Sequence, residues 1–364
     1  MTGFDVVIPT LGRESLAALL AALAAGPGPA PGRIVLVDDR ADGPPLDLAP
    51  LGPLAPRAEV VPGGGRGPAA ARNAGWRRCT ATWVAFLDDD VVPGVGWRAA
   101  LAADLAACPP EVAATQGRVH VPLPAHRRPT DRERSVAALA DAPDVTADMA
   151  YRRDVLAAVG GFDERFPRAY REDTDLALRV RAAGWVIARG GRAVAHPVRP
   201  APWWASVRAQ AGNADDMLMR ALHGRRWRRG QPVRGRRPLH VAQTAAGLVF
   251  LVALATRRRR VARPAAALWA AGWAEFTWHR ARRGPAAAGE VLTMAATSAL
   301  IPPAATWHSI RGTVRARRLT RTARTSEASA IGGAPPAHVR RVVPEQPPAE
   351  LPVGPPVPDV GEVL

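Results

Sequence analysis

Lysine is missing from the 364 residues, so every basic side chain apart from the eight histidines is an arginine. Cysteine occurs twice, at Cys79 and Cys108, with no CxxC spacing. That excludes a disulfide framework and a zinc knuckle, and it suits a reducing compartment. No GxxxxGK[ST] loop is present, and no helix-turn-helix, RRM or zinc-finger pattern appears. A P-loop enzyme and a sequence-specific nucleic-acid binder are therefore not expected. The opening residues Met1 to Asp5 carry no basic n-region and no long apolar run follows them, so no cleaved secretory signal is expected.

What is present is unevenly placed. The net charge of +17 is not spread along the chain: residues 1–224 hold 26 Arg against 25 acids, and residues 225–324 hold 21 Arg against two Glu. Residues 325–364 are mildly acidic and rich in Pro, Ala, Glu and Val without periodicity. Three segments are expected: a nearly neutral globular domain over 1–224, a basic and apolar helical region over 225–324, and a disordered tail from 325 to 364.

The first segment alternates strand and helix. Asp5 to Thr10 is an apolar run closed by a Pro-containing loop, Glu14 to Ala25 has helical spacing, and Arg33 to Asp39 is again strand-like. Strand, helix, strand in so short a stretch is a βαβ unit and predicts a parallel sheet, whose ligands bind at the carboxyl ends of its strands. The run Trp83-Val84-Ala85-Phe86-Leu87 reads as a buried strand that ends in Asp88, Asp89 and Asp90. Three adjacent carboxylates repel one another and call for a partner, and a hard divalent cation carrying a phosphorylated ligand suits them. A solvated acidic turn is the plainer alternative. Gly63 to Pro68 is a flexible loop before a helix that carries Arg72 and Asn73; Arg72 near that helix start suits a diphosphate. Glu172 and Asp173 fall just before, or in the first turn of, a helix read from Asp175 onward, where acids also serve as ordinary dipole-favoured caps.

The order of these motifs resembles inverting family 2 glycosyltransferases with the GT-A fold. The likeness runs from about Phe4 to about Trp204: DVVIPTLGR at 5–13, IVLVDDR at 34–40, then residues 67–93 with the acidic triplet. ADMAYRRDVLAAVGGFDERF at 147–166, REDTDLALRVRAAGW at 171–185 and AVAHPVRP at 193–200 complete it. The resemblance implies a nucleotide-sugar-binding α/β fold with a mostly parallel sheet. It further implies that Pro9, Thr10 and Asp39 line the base pocket with Arg72 and Asn73 nearby. Asp88, Asp89 and Asp90 would form the donor-binding acidic motif, with Asp88 and Asp90 as metal ligands joined by His196. Asp148 would sit by the donor sugar, and Asp173, next to Glu172, would be the catalytic base. Two departures stand out: Asp148 replaces a common Asn, and Arg40 follows the Asp38-Asp39 pair in place of Gly or Ser.

The implied reaction is a metal-dependent inverting transfer, with Mn²⁺ or Mg²⁺, from a nucleotide sugar (most commonly UDP-linked) to a hydroxyl of a glycan or lipid-linked acceptor. A nucleotidyltransferase-like enzyme or a non-catalytic nucleotide-sugar or nucleic-acid binding protein is the rival expectation. Beyond Arg225, apolar stretches at 239–256, 265–278 and 286–307 lie between Arg clusters and carry Trp269, Trp273, Trp278 and Trp307. The first is marginal as a bilayer span and the others are short or interrupted by Glu275 and Glu290. Helices lying on an anionic membrane surface are the expectation, at the inner face of the cell membrane with the catalytic part in the cytoplasm.

Overall fold

The computed structural model describes residues 3–228 and 235–330, with 321–330 by backbone alone. They form two compact units: one up to Pro122 plus Ala137–Val198, the other Leu123–Val136 plus the chain from Arg199 on.

The first unit is α/β. Its elements are β1 (Phe4–Thr10), α1 (Ser15–Ala25), β2 (Ile34–Asp38), β3 (Ala58–Pro62), α2 (Pro68–Trp76), β4 (Trp83–Leu87), β5 (Val92–Pro93) and α3 (Trp97–Ala106). After β6 (Val112–His120) and α4 (Asp131–Ala137, nearly all of it in the second unit) come β7 (Asp148–Arg152), α5 (Arg153–Ala158), α6 (Glu172–Ala182) and β8 (Val186–Ala195). One eight-stranded sheet has the order β3-β2-β1-β4-β7-β6-β8-β5. Its first four strands run parallel, as the βαβ reading requires. β7 enters antiparallel to both β4 and β6, and β6 and β8 are again parallel. The expected α/β class and mostly parallel sheet are present, with the reversal at β7 and the short β5–β8 pair as the exceptions.

β1, β2 and β4 read as unbroken apolar runs because both faces are covered; Val7, Val35, Val37, Val84 and Phe86 are all fully buried. α1 turns Leu16, Leu19, Leu20 and Leu23 inward, as its spacing predicts. Two boundaries differ from the sequence reading. α6 starts at Glu172, so both acids of the pair lie in its first turn. β8 runs on to Ala195, because Ala188, Gly190, Arg192 and Val194 keep a period of two on the buried face beyond the apolar run that signalled the strand.

The second unit is helical: after α4 come α7 (Ala205–Arg208), α8 (Asn213–His223), α9 (Arg237–Ala255), α10 (Arg259–Ala281) and α11 (Ala288–Ala330). α8 approaches α11 so closely that a Cβ on Gly312 would sit 2.4 Å from the Ala214 Cα, so only glycine fits there. Trp269 and Trp273 stack with their ring planes 1° apart. Arg280, buried, binds the Asp131 carboxylate and the hydroxyls of Thr297, Ser298 and Ser206, tying four segments together. The separate apolar stretch at 286–307 belongs to one long helix that passes through Pro302 and Pro303 and ends at Ala330. Residues 325–330 are therefore helical where a tail was expected; the rest of that tail lies outside the described residues. Among the described residues one helix, Arg237–Ala255, is long and apolar enough to cross a membrane, with a mean hydropathy of 1.7 and 17% of that window buried. Leu248, Val249, Leu251, Val252 and Leu254 on it are exposed.

Candidate functional site

The site is built at one edge of the first unit's sheet. Thr10 and Asp38 are paired in register at the carboxyl ends of β1 and β2, and β4 delivers its acids at the same edge. β7 starts there too, since Asp148 pairs with Leu87. The edge thus collects Thr10, Asp38, Asp39, the Asp88–Asp90 triplet and Asp148.

The three triplet acids face three different partners. Asp88, partly exposed, accepts from Arg72 Nη2 at 2.7 Å. Asp89 turns back into the protein, accepting from the Thr10 hydroxyl at 2.8 Å, from the Leu11 amide at 3.1 Å and from Arg13. The middle acid and Thr10 therefore hold the β1–α1 loop against the end of β4. Asp90 lies 3.5 Å from His196 Nε2. The His196 imidazole, just past β8, is brought there because its backbone N–H donates to the His120 carbonyl at 2.7 Å.

Arg72 joins the acidic triplet to Glu172, which lies 100 residues further along the chain than Arg72 itself. From inside α2, buried, it donates through Nη1 to Glu172 Oε1 and through Nη2 to Asp88 Oδ1, both at 2.7 Å. Its guanidinium also lies 5.5 Å from the Phe162 ring centroid. Burial and the neighbouring Asp173 push Glu172 up to about 8 against the pull of Arg72. Asp173 is half-buried, and burial raises it too, although its Oδ1 accepts from the Thr174 amide at 2.6 Å. Arg171, the residue that caps α6, has φ 80°, a left-handed conformation costly for a side-chain-bearing residue. Strain of this kind gathers at functional sites.

Asn73 has its hydrogen-bonding capacity filled within the protein. Its Oδ1 accepts from Trp76 Nε1 and the Phe162 amide, and its Nδ2 donates to the Phe162 carbonyl and to Glu164. It clamps α2 to the Gly160–Glu164 turn. Asp39 accepts the backbone N–H groups of Arg66 and Gly67, at 3.1 and 2.9 Å, which orders the glycine-rich loop over the end of β2. Pro9 is half-buried in β1 one residue before Thr10. Arg40 folds back onto Asp38 as a two-point ion pair.

Asp148 is fully buried: Oδ2 accepts from Trp97 Nε1 at 2.9 Å and Oδ1 from Arg192 Nε at 2.7 Å. Burial pushes its pKa up, opposed by Arg192. Arg192 in turn binds Asp104 and both the hydroxyl and carbonyl of Thr115, joining β6, β7, β8 and α3. Sequence reasoning missed this lock, and also missed Arg13 and Glu164. The signal for Arg192 was its phase, a charged residue on the buried face of a strand. Neither thiol offers a nucleophile, since burial pushes Cys79 up to about 12 and Cys108 up to about 11.

Residues 5–160 match the model of Glycosyl transferase family 2. This part of the chain is a glycosyl transferase family 2 domain. Two curated relatives are both named Pre-mycofactocin glycosyltransferase, from the Mycobacterium tuberculosis strains CDC 1551 and H37Rv. Each is 36% identical over 133 residues, covering 33% of this chain and 27% of the relative. The chain thus spans about a quarter of the length of the curated relatives it matches. Among solved structures, S. aureus TarS residues 1–349 aligns over 88% of this chain and 92% of its own at 13% identity, TM-score 0.41. A longer S. aureus TarS structure aligns over 59% of this chain and 40% of its own at 16% identity, TM-score 0.37.

In the first unit, two donor side chains stand where a divalent cation would bind. Asp90 and His196 stand together, and the buried His196 Nδ1 has no hydrogen-bond partner. One carboxylate and one imidazole suit Mn²⁺ or Mg²⁺ when phosphate oxygens supply the remaining positions. Among the described residues no three His, Cys, Asp or Glu side chains gather into a complete metal cage. The pair therefore fits a cation that arrives with its nucleotide.

Proposed function

We propose that the family 2 domain transfers a sugar from a nucleotide-sugar donor to an acceptor hydroxyl with inversion. The observation that carries this is the Arg72 bridge: it brings the acids after β4 and the first turn of α6 to one edge of the sheet, within 2.7 Å of a single guanidinium on each side. One side of the site holds donor-directed acids, and the other holds a pair of carboxylates with raised pKa.

In this reading the donor lies along the edge formed by Pro9, Thr10, Asp39 and the ordered glycine-rich loop, with its ribose towards Asp88 and its diphosphate towards the cation side of the site at Asp90. Asp90 and His196 would hold Mn²⁺ or Mg²⁺, which when bound supplies Lewis-acid neutralisation of the departing diphosphate. Asp173 takes the proton of the acceptor hydroxyl as that oxygen attacks the anomeric carbon from the face opposite the diphosphate. A single displacement inverts the centre and needs no enzyme nucleophile. Glu172, held by Arg72, fixes the first turn of α6 and keeps Asp173 in place. Asp148, enclosed by Trp97 and Arg192, shapes the sugar end of the site through the β7 backbone. UDP is the first donor to try. A glycan or lipid-linked acceptor is the substrate class, as expected for a basic, apolar second unit that rests on an anionic membrane surface at the inner face of the cell membrane.

The test is a thermal-shift screen of nucleoside diphosphates with and without Mn²⁺, followed by product assay. A ligand that binds only the folded state raises its apparent stability. The expected result is a Mn²⁺-dependent shift with one nucleotide that is lost in Asp90→Ala. Asp173→Asn should keep that shift and lose transfer; an active Asp173→Asn enzyme would remove Asp173 from the role of base.

A further inference from the structure

The second unit holds a groove of about 460 Å³ between α10, the turn after it, the start of α11 and the segment before α4. That is within the roughly 300–1,000 Å³ of small-ligand sites. Its walls are almost wholly hydrocarbon. Trp273 turns its ring to the groove and spends its indole N–H on the Ala295 carbonyl at 2.8 Å. Trp278 is 68% exposed and Val291 40% exposed, so the groove opens with its apolar surface to solvent. Thr277 lines it as well, and its buried hydroxyl has no partner.

At the rim stand two cations. Arg128 donates to the Arg282 carbonyl at 3.2 Å, and neither guanidinium makes an ion pair among the described residues. The nearby acids are already engaged. Asp131 is taken by Arg280 and Arg134, Glu133 by Arg127, and Glu290 by the Asp131 amide. The Arg280 cluster holds the surrounding segments in place, so the groove is preformed. A sugar or a base would need polar groups inside the groove to be read, and the walls supply one hydroxyl. A hydrocarbon chain needs none, and a negative head group at its end answers the two arginines.

We infer that this groove binds a lipid anion: one hydrocarbon chain lies between Trp273, Trp278 and Val291, and the charged head rests on Arg128 and Arg282. This stands on the geometry of the second unit alone. It does not require glycosyl transfer, and it differs from adsorption of the unit to a membrane, because a single chain in solution suffices.

The test uses the full chain and a dansyl-labelled undecanoic acid below its micelle concentration. The expected result is saturable, blue-shifted emission, displaced by dodecyl phosphate about tenfold better than by dodecanol. Inorganic phosphate should not displace it. Filling the groove by Ala274→Trp on α10, or separately by Ala286→Trp on the following turn, should weaken binding about tenfold or more with the helical circular dichroism unchanged. Arg128→Gln with Arg282→Gln should make the phosphate and the alcohol equal competitors. Wild-type protein that fails to bind the probe overturns the inference. So do equal displacement by phosphate and alcohol in the wild type, and folded filled variants that bind as the wild type does.

Discussion

Glu172 and Asp173 are adjacent carboxylates in the first turn of one helix, and the protein cannot ionise both cheaply. Burial raises both, and the charge of Asp173 adds to the rise of Glu172, which reaches about 8. A base must be unprotonated to accept a proton, so transfer should rise with pH through a range above that of ordinary carboxylates, as burial raises Asp173. Glu172→Gln mimics the protonated Glu172 beside which Asp173 ionises, so the rising limb of kcat should stay where it is; a limb that moves would show that Glu172 itself titrates in it. Stability should show the same coupling with a definite sign. Between the ordinary value of 4.5 and about 8 the unfolded chain has released the Glu172 proton while the native protein still holds it. Stability therefore falls as pH rises across that window and is flat above it, and Glu172→Gln should lack that contribution. Arg192 poses the opposite case, a buried cation whose removal strands Asp104 and Asp148. Arg192→Met should cost about 3–5 kcal/mol in urea unfolding of the full chain, and Arg192→Lys should recover only part of it, because an ammonium cannot reproduce the planar fork.

Among the elements, the glycine-rich loop and α2 show how backbone geometry shapes the proposed donor site. Gly67 caps α2 with φ 93°, and a Cβ there would lie 2.6 Å from the Pro167 carbonyl oxygen. Gly67→Ala should cost roughly 1–3 kcal/mol and shift the amide that Asp39 accepts. The nucleotide-induced thermal shift should shrink more than the stability loss alone explains; an unchanged shift would show that the loop does not touch the donor. This loop also marks the limit of what could be read from residue order. The apolar runs of β1, β2 and β4 and the spacing of α1 were legible because burial on both faces, or on one stripe, writes itself into local composition. The acids at the strand ends were legible for the same reason, as charges that interrupt such runs. Their partners were not. Arg72 meets Glu172 across 100 residues, and Asp148 meets Arg192 only because β7 reverses direction between β4 and β6. Neither local propensity nor periodicity carries long-range pairing of that kind. The extent of β8 was hidden because Gly190, Gly191 and Arg192 are poor strand formers whose place in the sheet is set by their neighbours.

For the molecule as a whole, charge is the property that sets the second unit apart. Thr256 to Arg258 form the turn between α9 and α10, four consecutive arginines (Arg257 to Arg260) run through it into the start of α10, and the exposed leucines and valines of α9 lie immediately before it. Apolar side chains next to a cluster of cations suit a surface that offers both hydrocarbon and negative charge, which is the membrane reading proposed above. Each arginine near an anionic leaflet contributes about 1 kcal/mol, so replacing Arg257 to Arg260 by Gln should lower affinity for phosphatidylglycerol-containing vesicles by up to roughly a thousandfold at low salt. The loss should narrow as salt is raised, because those charges are screened over about 10 Å at 0.1 M. Neutral phosphatidylcholine vesicles should bind weakly and equally in both proteins. Co-sedimentation over a salt series reads all three effects. Equal binding of wild type and variant to anionic vesicles would assign the arginine turn to some other partner, and it would leave the α10–α11 groove, which binds a single chain in solution, to be judged by its own experiment.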